Sequence, residues 1–131
     1  MTASEYPITL LTASVLGLIY LGLCYNVVRH RIKLLKNKDF DQDILERMVR
    51  VQCNFNDYVP IILILLFLLE NAGVESIIVL GCSVGVIVGR ILHAWGLTGN
   101  AGTSFGRYYG TLLTWIVMLV ASVMGLITIF K

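Results

Sequence analysis

Residues 47–69 read RMVRVQCNFNDYVPIILILLFLL. The apolar run 59–69 is eleven residues long, roughly 16 Å of helix, against the ~30 Å hydrocarbon core of a bilayer. A helix crossing at this point must take the rest of its length from residues 47–58, so Arg47, Arg50, Asn54, Asp57 and Tyr58 enter the membrane. At 100° per residue these five share an arc of about 100°. Met48, Val49, Phe55 and Val59 take the other side, where they suit lipid or packing, with Gln52 and Asn56 as exceptions. Arg and Asp at membrane depth cost several kcal/mol and usually face a cavity or a partner, which marks a ligand path. Pro60 leaves the Asn56 carbonyl without its helical donor and is expected to bend the helix beside this ladder. The plainer alternative is that Arg47, Arg50 and Asp57 form interhelical ion pairs or reach to headgroups.

The rest of the chain suits a membrane as solvent. Of its 131 residues 57% are hydrophobic and 14% charged, and mean hydropathy is +0.83, values that exclude an ordinary soluble domain. Four stretches are apolar enough to span. The expected fold class is therefore all-α integral membrane, a single domain over residues 1–131 with a four-transmembrane-helix bundle. Its helices are expected over about 8–28, 41–69, 74–94 and 107–130. The segment before the first span carries Glu5 and no basic residue, so that span reads as retained rather than as a cleaved signal. Cys24, Cys53 and Cys82 fall inside spans and read as small buried hydrophobes. The net charge of +2 comes from basic residues mixed with acids and apolar helix, which is no nucleic-acid surface. No His, Cys or carboxylate spacing argues for a metal.

Nine of the ten Lys and Arg residues lie within 29–50 and 90–107. By the positive-inside bias both connections face the cytoplasm, and both termini, with the Glu70 and Glu75 turn, face outward. Residues 29–40 read as a basic solvated loop near anionic headgroups, followed by Asp41 as the N-cap of helix 2. Gly81, Gly85 and Gly89, four apart on helix 3, predict a close helix approach. Ala121 and Gly125 repeat that spacing on helix 4. The stretch 96–106, with Asn100, Thr103, Ser104 and four glycines, reads as a mobile loop.

Other helices supply groups at the level of the ladder: Asn26 and Arg29 on helix 1, Arg90 and His93 on helix 3, and Arg107, Tyr108 and Thr111 on helix 4. Several guanidiniums with one carboxylate, an amide and a phenol suit a ligand bearing more than one carboxylate and an amine. Arginine forks grip carboxylates, and Asp57 complements an ammonium. Nothing resembles a P-loop, a dinucleotide fingerprint or a Ser-His-Asp set.

Arg47-x-x-Arg50-x-Gln52-x-Asn54-x-x-Asp57-Tyr58-x-Pro60 resembles the signature of the MAPEG family, the membrane-associated proteins in eicosanoid and glutathione metabolism. Gly89-Arg90-x-x-His93 and Arg107 fall where that family places its helix 3 and helix 4 site residues. The resemblance implies a homotrimer with glutathione bound between subunits as co-substrate. It also implies transferase or peroxidase activity on lipophilic electrophiles, a role of the detoxification kind, in a bacterial inner membrane with the site facing the cytoplasm. Carried over by position, Arg50, Asn54, Asp57 and Tyr58 would bind glutathione, with Arg90, His93 and Arg29 contributing, and Arg107 would stabilise the thiolate. Asp57 stands where the family usually has Glu, and Leu97 where several eukaryotic members have Tyr. The chain is similar rather to small bacterial members.

Two other functions compete on the residues alone. One is a non-catalytic binding or scaffold protein of the same fold, which has no need of a cation at Arg107. The other is a small channel or transporter subunit, against which stands the lack of any polar continuation through residues 59–69.

Overall fold

The computed structural model describes residues 7–99 and 104–131. Four α-helices follow one another: α1 (Ile8–Lys36), α2 (Gln42–Asn71), α3 (Ser76–Gly99) and α4 (Phe105–Phe130). All four are long and apolar enough to cross a membrane. Each runs antiparallel to the one before it, so Ile8 meets Glu70 at one end of the bundle while Asn54 meets Arg90 toward the other. We call the latter, which carries Arg29, Arg50 and Arg107, the basic end.

The first helix does not stop at residue 28. It continues through Lys36, and the expected basic loop over 29–40 shrinks to the short turn around Asn37. Hydropathy marks where the apolar span ends, but residues 29–36 contain neither Gly nor Pro and are mostly good helix formers, so the backbone keeps its helical bonds. Lys33 and Lys36 occupy the last turn, where cations offset the helix dipole. Asp41 is the N-cap of α2 as expected, its carboxylate accepting from the Asp43 amide at 2.9 Å. At 29 and 30 residues, α1 and α2 reach about 43–45 Å, well beyond the hydrocarbon core.

The expected loop over 96–106 is also shorter. α3 runs on to Gly99 and α4 begins at Phe105, capped by Ser104, whose Oγ accepts from the Arg107 amide at 3.3 Å. Asn100 and Thr103 of that expected loop lie outside the described residues. The reason for the extension is contact: a Cβ on Gly96 would lie 2.3 Å from the Arg107 amide nitrogen, and one on Gly106 2.7 Å from the Leu92 carbonyl oxygen. The two helix ends thus touch backbone to backbone.

α2 and α3 each touch all three other helices, while α1 and α4 do not meet among the described residues. The inner stripe of α2, Phe55, Val59, Ile62, Leu66 and Leu69, is buried against Leu16, Val79, Val86, Val117 and Ala121. In lipid such contacts stabilise through close packing rather than escape from water. Leu18, Ile64, Trp115 and Leu119 point outward, as lipid-facing side chains should. Gln52 and Asn56, exceptions on the apolar side of the helix, have a structural role. Gln52 Nε2 reaches Cys24 Sγ at 3.2 Å, Asn56 Nδ2 donates to Tyr20 Oη at 2.9 Å, and Asn26 Nδ2 meets Met48 Sδ at 3.2 Å. These contacts repeat every four residues of α2 and suture it to α1.

The turn between α2 and α3 is closed by Gly73 at φ 77°. Its amide donates to the Glu70 carbonyl at 3.2 Å, and the Val74 amide to the Leu69 carbonyl at 3.1 Å, the paired bonds of a Schellman ending.

Candidate functional site

The expected close helix approach on α3 does not begin at Gly81, where an added Cβ would meet nothing within 4 Å. It forms further along. A Cβ on Gly89 would lie 2.8 Å from Thr114 Oγ1 and 3.0 Å from the Gly110 carbonyl oxygen; one on Gly110 would lie 2.6 Å from the Gly89 carbonyl oxygen. The small residues Gly106, Gly110 and Thr114, four apart on α4, form the facing stripe. This crossing brings α4's backbone within reach of Arg90.

Arg90 is 2% exposed and ties three helices together. Its Nε donates to Thr114 Oγ1 at 3.1 Å, and Nη2 donates to the same oxygen at 2.8 Å and to the Gly110 carbonyl at 3.4 Å. Nη1 donates to the backbone carbonyl of Asn54 at 3.4 Å and to Asn54 Oδ1. The guanidinium carbon stands 5.6 Å from the centre of the Tyr58 ring, within cation–π range. Thr114, fully buried, donates in turn to the Gly110 carbonyl at 2.8 Å.

Asn54, Tyr58 and Arg90 are therefore brought together directly. His93, one turn beyond Arg90, is 4% exposed and within electrostatic reach of both Arg90 and Arg107. Arg107 is half-buried at the start of α4. Beside it the exposed rings of Phe105, Tyr108 and Tyr109 cluster, with Phe105–Tyr109 centroids 4.4 Å apart and Tyr108–Tyr109 5.1 Å. Tyrosines of this kind favour the membrane–water boundary.

The remaining candidates face away from this knot. Arg50 and Asp57 on α2, and Arg29 on α1, are exposed. Among the described residues none of the three has an ion pair or a side-chain hydrogen bond, so the alternative of ion pairs inside one subunit does not account for them. Cys53 is exposed on the same side of α2, whereas Cys82 is buried as expected and Cys24 is half-buried. Arg47 is half-buried, with its Nε enclosed and unpartnered.

The chain thus presents a cation, a carboxylate and a half-buried amide along one side of α2, backed by a saturated arginine. Thr114 and Gly110 escaped the reading of the sequence. The spacing of small residues at 106, 110 and 114 was the signal that could have found them. An apolar groove between the far ends of α2 and α4, lined by Leu65, Leu69, Gly125 and Ile129 among others, lies at the opposite end of the bundle.

Comparison with known proteins adds three findings. A family model described as MAPEG family matches residues 9–127. Two curated relatives, each named inner membrane protein YecN, come from Escherichia coli strains K12 and O6:H1. Each is 26% identical over 113 residues, which cover 86% of this chain and 85% of the relative. No solved structure matches the chain.

Proposed function

The chain belongs to the MAPEG family, and on that premise we propose that it is a membrane-bound glutathione transferase with glutathione peroxidase as a second activity. The observation that carries this reading is the exposed, unpaired state of Arg50 and Asp57 on a helix that crosses the membrane. A cation and a carboxylate left without partners at such depth call for a ligand or a second subunit. Glutathione answers both charges, having two carboxylates, one ammonium and two peptide groups.

In this reading Arg50 takes a carboxylate with Asn54 beside it, Asp57 takes the ammonium, and Tyr58 meets the groups between. Arg90 and His93 form the wall behind, and Arg29 closes the site from α1 of a neighbouring copy in a homotrimer. Glutathione supplies the thiol. A free thiol of pKa about 8.5 is only a few per cent thiolate at neutral pH, and lowering that value by two units takes about 2.7 kcal/mol of preferential stabilisation. A half-buried guanidinium can supply this, and Arg107 has the charge and the depth for it. At the aromatic boundary Arg107 faces a lipophilic electrophile dissolved in the membrane, while glutathione enters from water.

The name of the Escherichia coli relatives supports residence in a bacterial inner membrane, and the positive-inside bias argues for a cytoplasmic basic end with both termini outside. The test is thermal unfolding of the detergent-purified protein with and without glutathione. Stabilisation of the wild type, lost in Arg50→Ala and in Asp57→Ala, is the expected result. No stabilisation of the wild type returns the ladder to an assembly role, the scaffold alternative.

A further inference from the structure

We infer that Arg90 serves this site as a positioning residue: with Thr114 it orients the Asn54 carboxamide so that Nδ2 is the ligand-facing group. The seat beside Arg50 then accepts an oxygen anion or carbonyl. This rests on the glutathione reading and assigns its Arg50 and Asn54 corner to a carboxylate.

A guanidinium has five N–H donors and no acceptor. Arg90 makes five hydrogen bonds, to Thr114 twice, to Gly110, and to Asn54 twice, so none of its donors is left for a ligand. Thr114 is saturated as well. Its hydroxyl offers two acceptor positions and one donor, and all three are used, by Arg90 Nε, Arg90 Nη2 and the Gly110 carbonyl. The clamp can therefore neither turn nor share.

Its effect falls on Asn54. Because Arg90 can only donate, the side-chain atom it contacts must be Oδ1, and Nδ2 must point the other way. Nδ2 has no acceptor among the described residues. Arg50 precedes Asn54 by four positions and Asp57 follows it by three, both spacings that place side chains on one helix face. The corner between Arg50 and Asn54 thus offers donors only, and Asp57 offers the acceptor for an amine on its other side. A ligand with separate carboxylate and ammonium groups is bound in one direction.

Asn54→Asp separates this role from simple bracing. Aspartate keeps an oxygen for Arg90 but replaces the outward donor with a second oxygen. We expect its unfolding temperature without ligand to equal or exceed that of the wild type, and its Kd for glutathione, by titration calorimetry in detergent, to rise at least tenfold. Thr114→Val removes the acceptor that holds Nε and Nη2 and should weaken binding at least fivefold, with Thr114→Ser restoring it. If Arg90 instead gripped the ligand itself, Thr114→Val would leave binding unchanged or tighten it. Should Thr114→Val fail to fold, Asn54→Asp and Thr114→Ser still decide. Wild-type binding that Asn54→Asp leaves intact overturns this inference alone. Absence of glutathione binding to the wild type overturns the functional reading, and the inference with it.

Discussion

Glu70, near the end of α2, caps the start of α1 through Ile8: its Oε1 accepts from the Ile8 amide at 2.6 Å, and Oε2 from the adjacent Thr9 amide at 2.9 Å. Pro7, the residue in the N-cap position, provides no side-chain bond of its own. The first amides of a helix have no partner within it, and a carboxylate there also meets the positive end of the helix dipole. Glu70→Ala should lower unfolding stability by about 1–3 kcal/mol, read as a fall in unfolding temperature in detergent. Glu70→Gln, which keeps one acceptor, should lose less.

Gly110→Ala should damage the bundle at its basic end. The new methyl would sit 2.6 Å from both the Gly89 carbonyl oxygen and the His93 amide nitrogen, backbone atoms that move only if α3 and α4 part. Overpacking of this kind costs about 1–3 kcal/mol, and separation would also pull Thr114 from Arg90. The expected result is a lower unfolding temperature together with weaker glutathione binding. Gly81→Ala, at a position with open space around it, should change neither.

Gly73→Ala should destabilise by about 1–2 kcal/mol, because a left-handed backbone conformation is costly for any residue with a Cβ. No neighbour lies within 4 Å of that position, so the effect is backbone strain alone and should leave glutathione affinity unchanged in the folded fraction.

Arg107→Ala should separate chemistry from binding. Conjugation of glutathione to a generic aromatic electrophile is expected to fall by about 10²–10³-fold, while thermal stabilisation by glutathione persists. Arg50→Ala and Asp57→Ala should show the reverse order of damage, with affinity lost first. Full turnover in Arg107→Ala would remove that residue from the mechanism.

The positive-inside bias can be tested on intact cells. A periplasm-dependent reporter fused after Lys131 should be active, and the same reporter placed in the turn at Asn37 should be inactive. The opposite pattern would invert the bundle.

The number of helices, their membrane character and the residues of the polar ladder were legible in the sequence, because each is a local property. Span length follows from hydropathy, phase from a fixed 100° per residue, and the Asp41 cap from a short-range bond. Helix ends were less legible. Residues 29–36 leave the apolar span without leaving the helix, and Gly96 stays helical because α4 packs on it. Contacts between distant segments were not legible at all. Glu70 reads in the sequence as part of an acidic turn, whereas in the fold it caps the start of α1. Arg90, Asn54 and Thr114 lie far apart in the chain, and only the crossing at Gly89 and Gly110 lets one guanidinium spend all its donors on the other two helices. The sequence by itself determined which polar groups share one face of the second apolar helix. The tertiary structure decided which polar groups, like Arg90, are satisfied inside the bundle and which, like Arg50 and Asp57, are left facing out, since partnership depends on the distance of closest approach between helices.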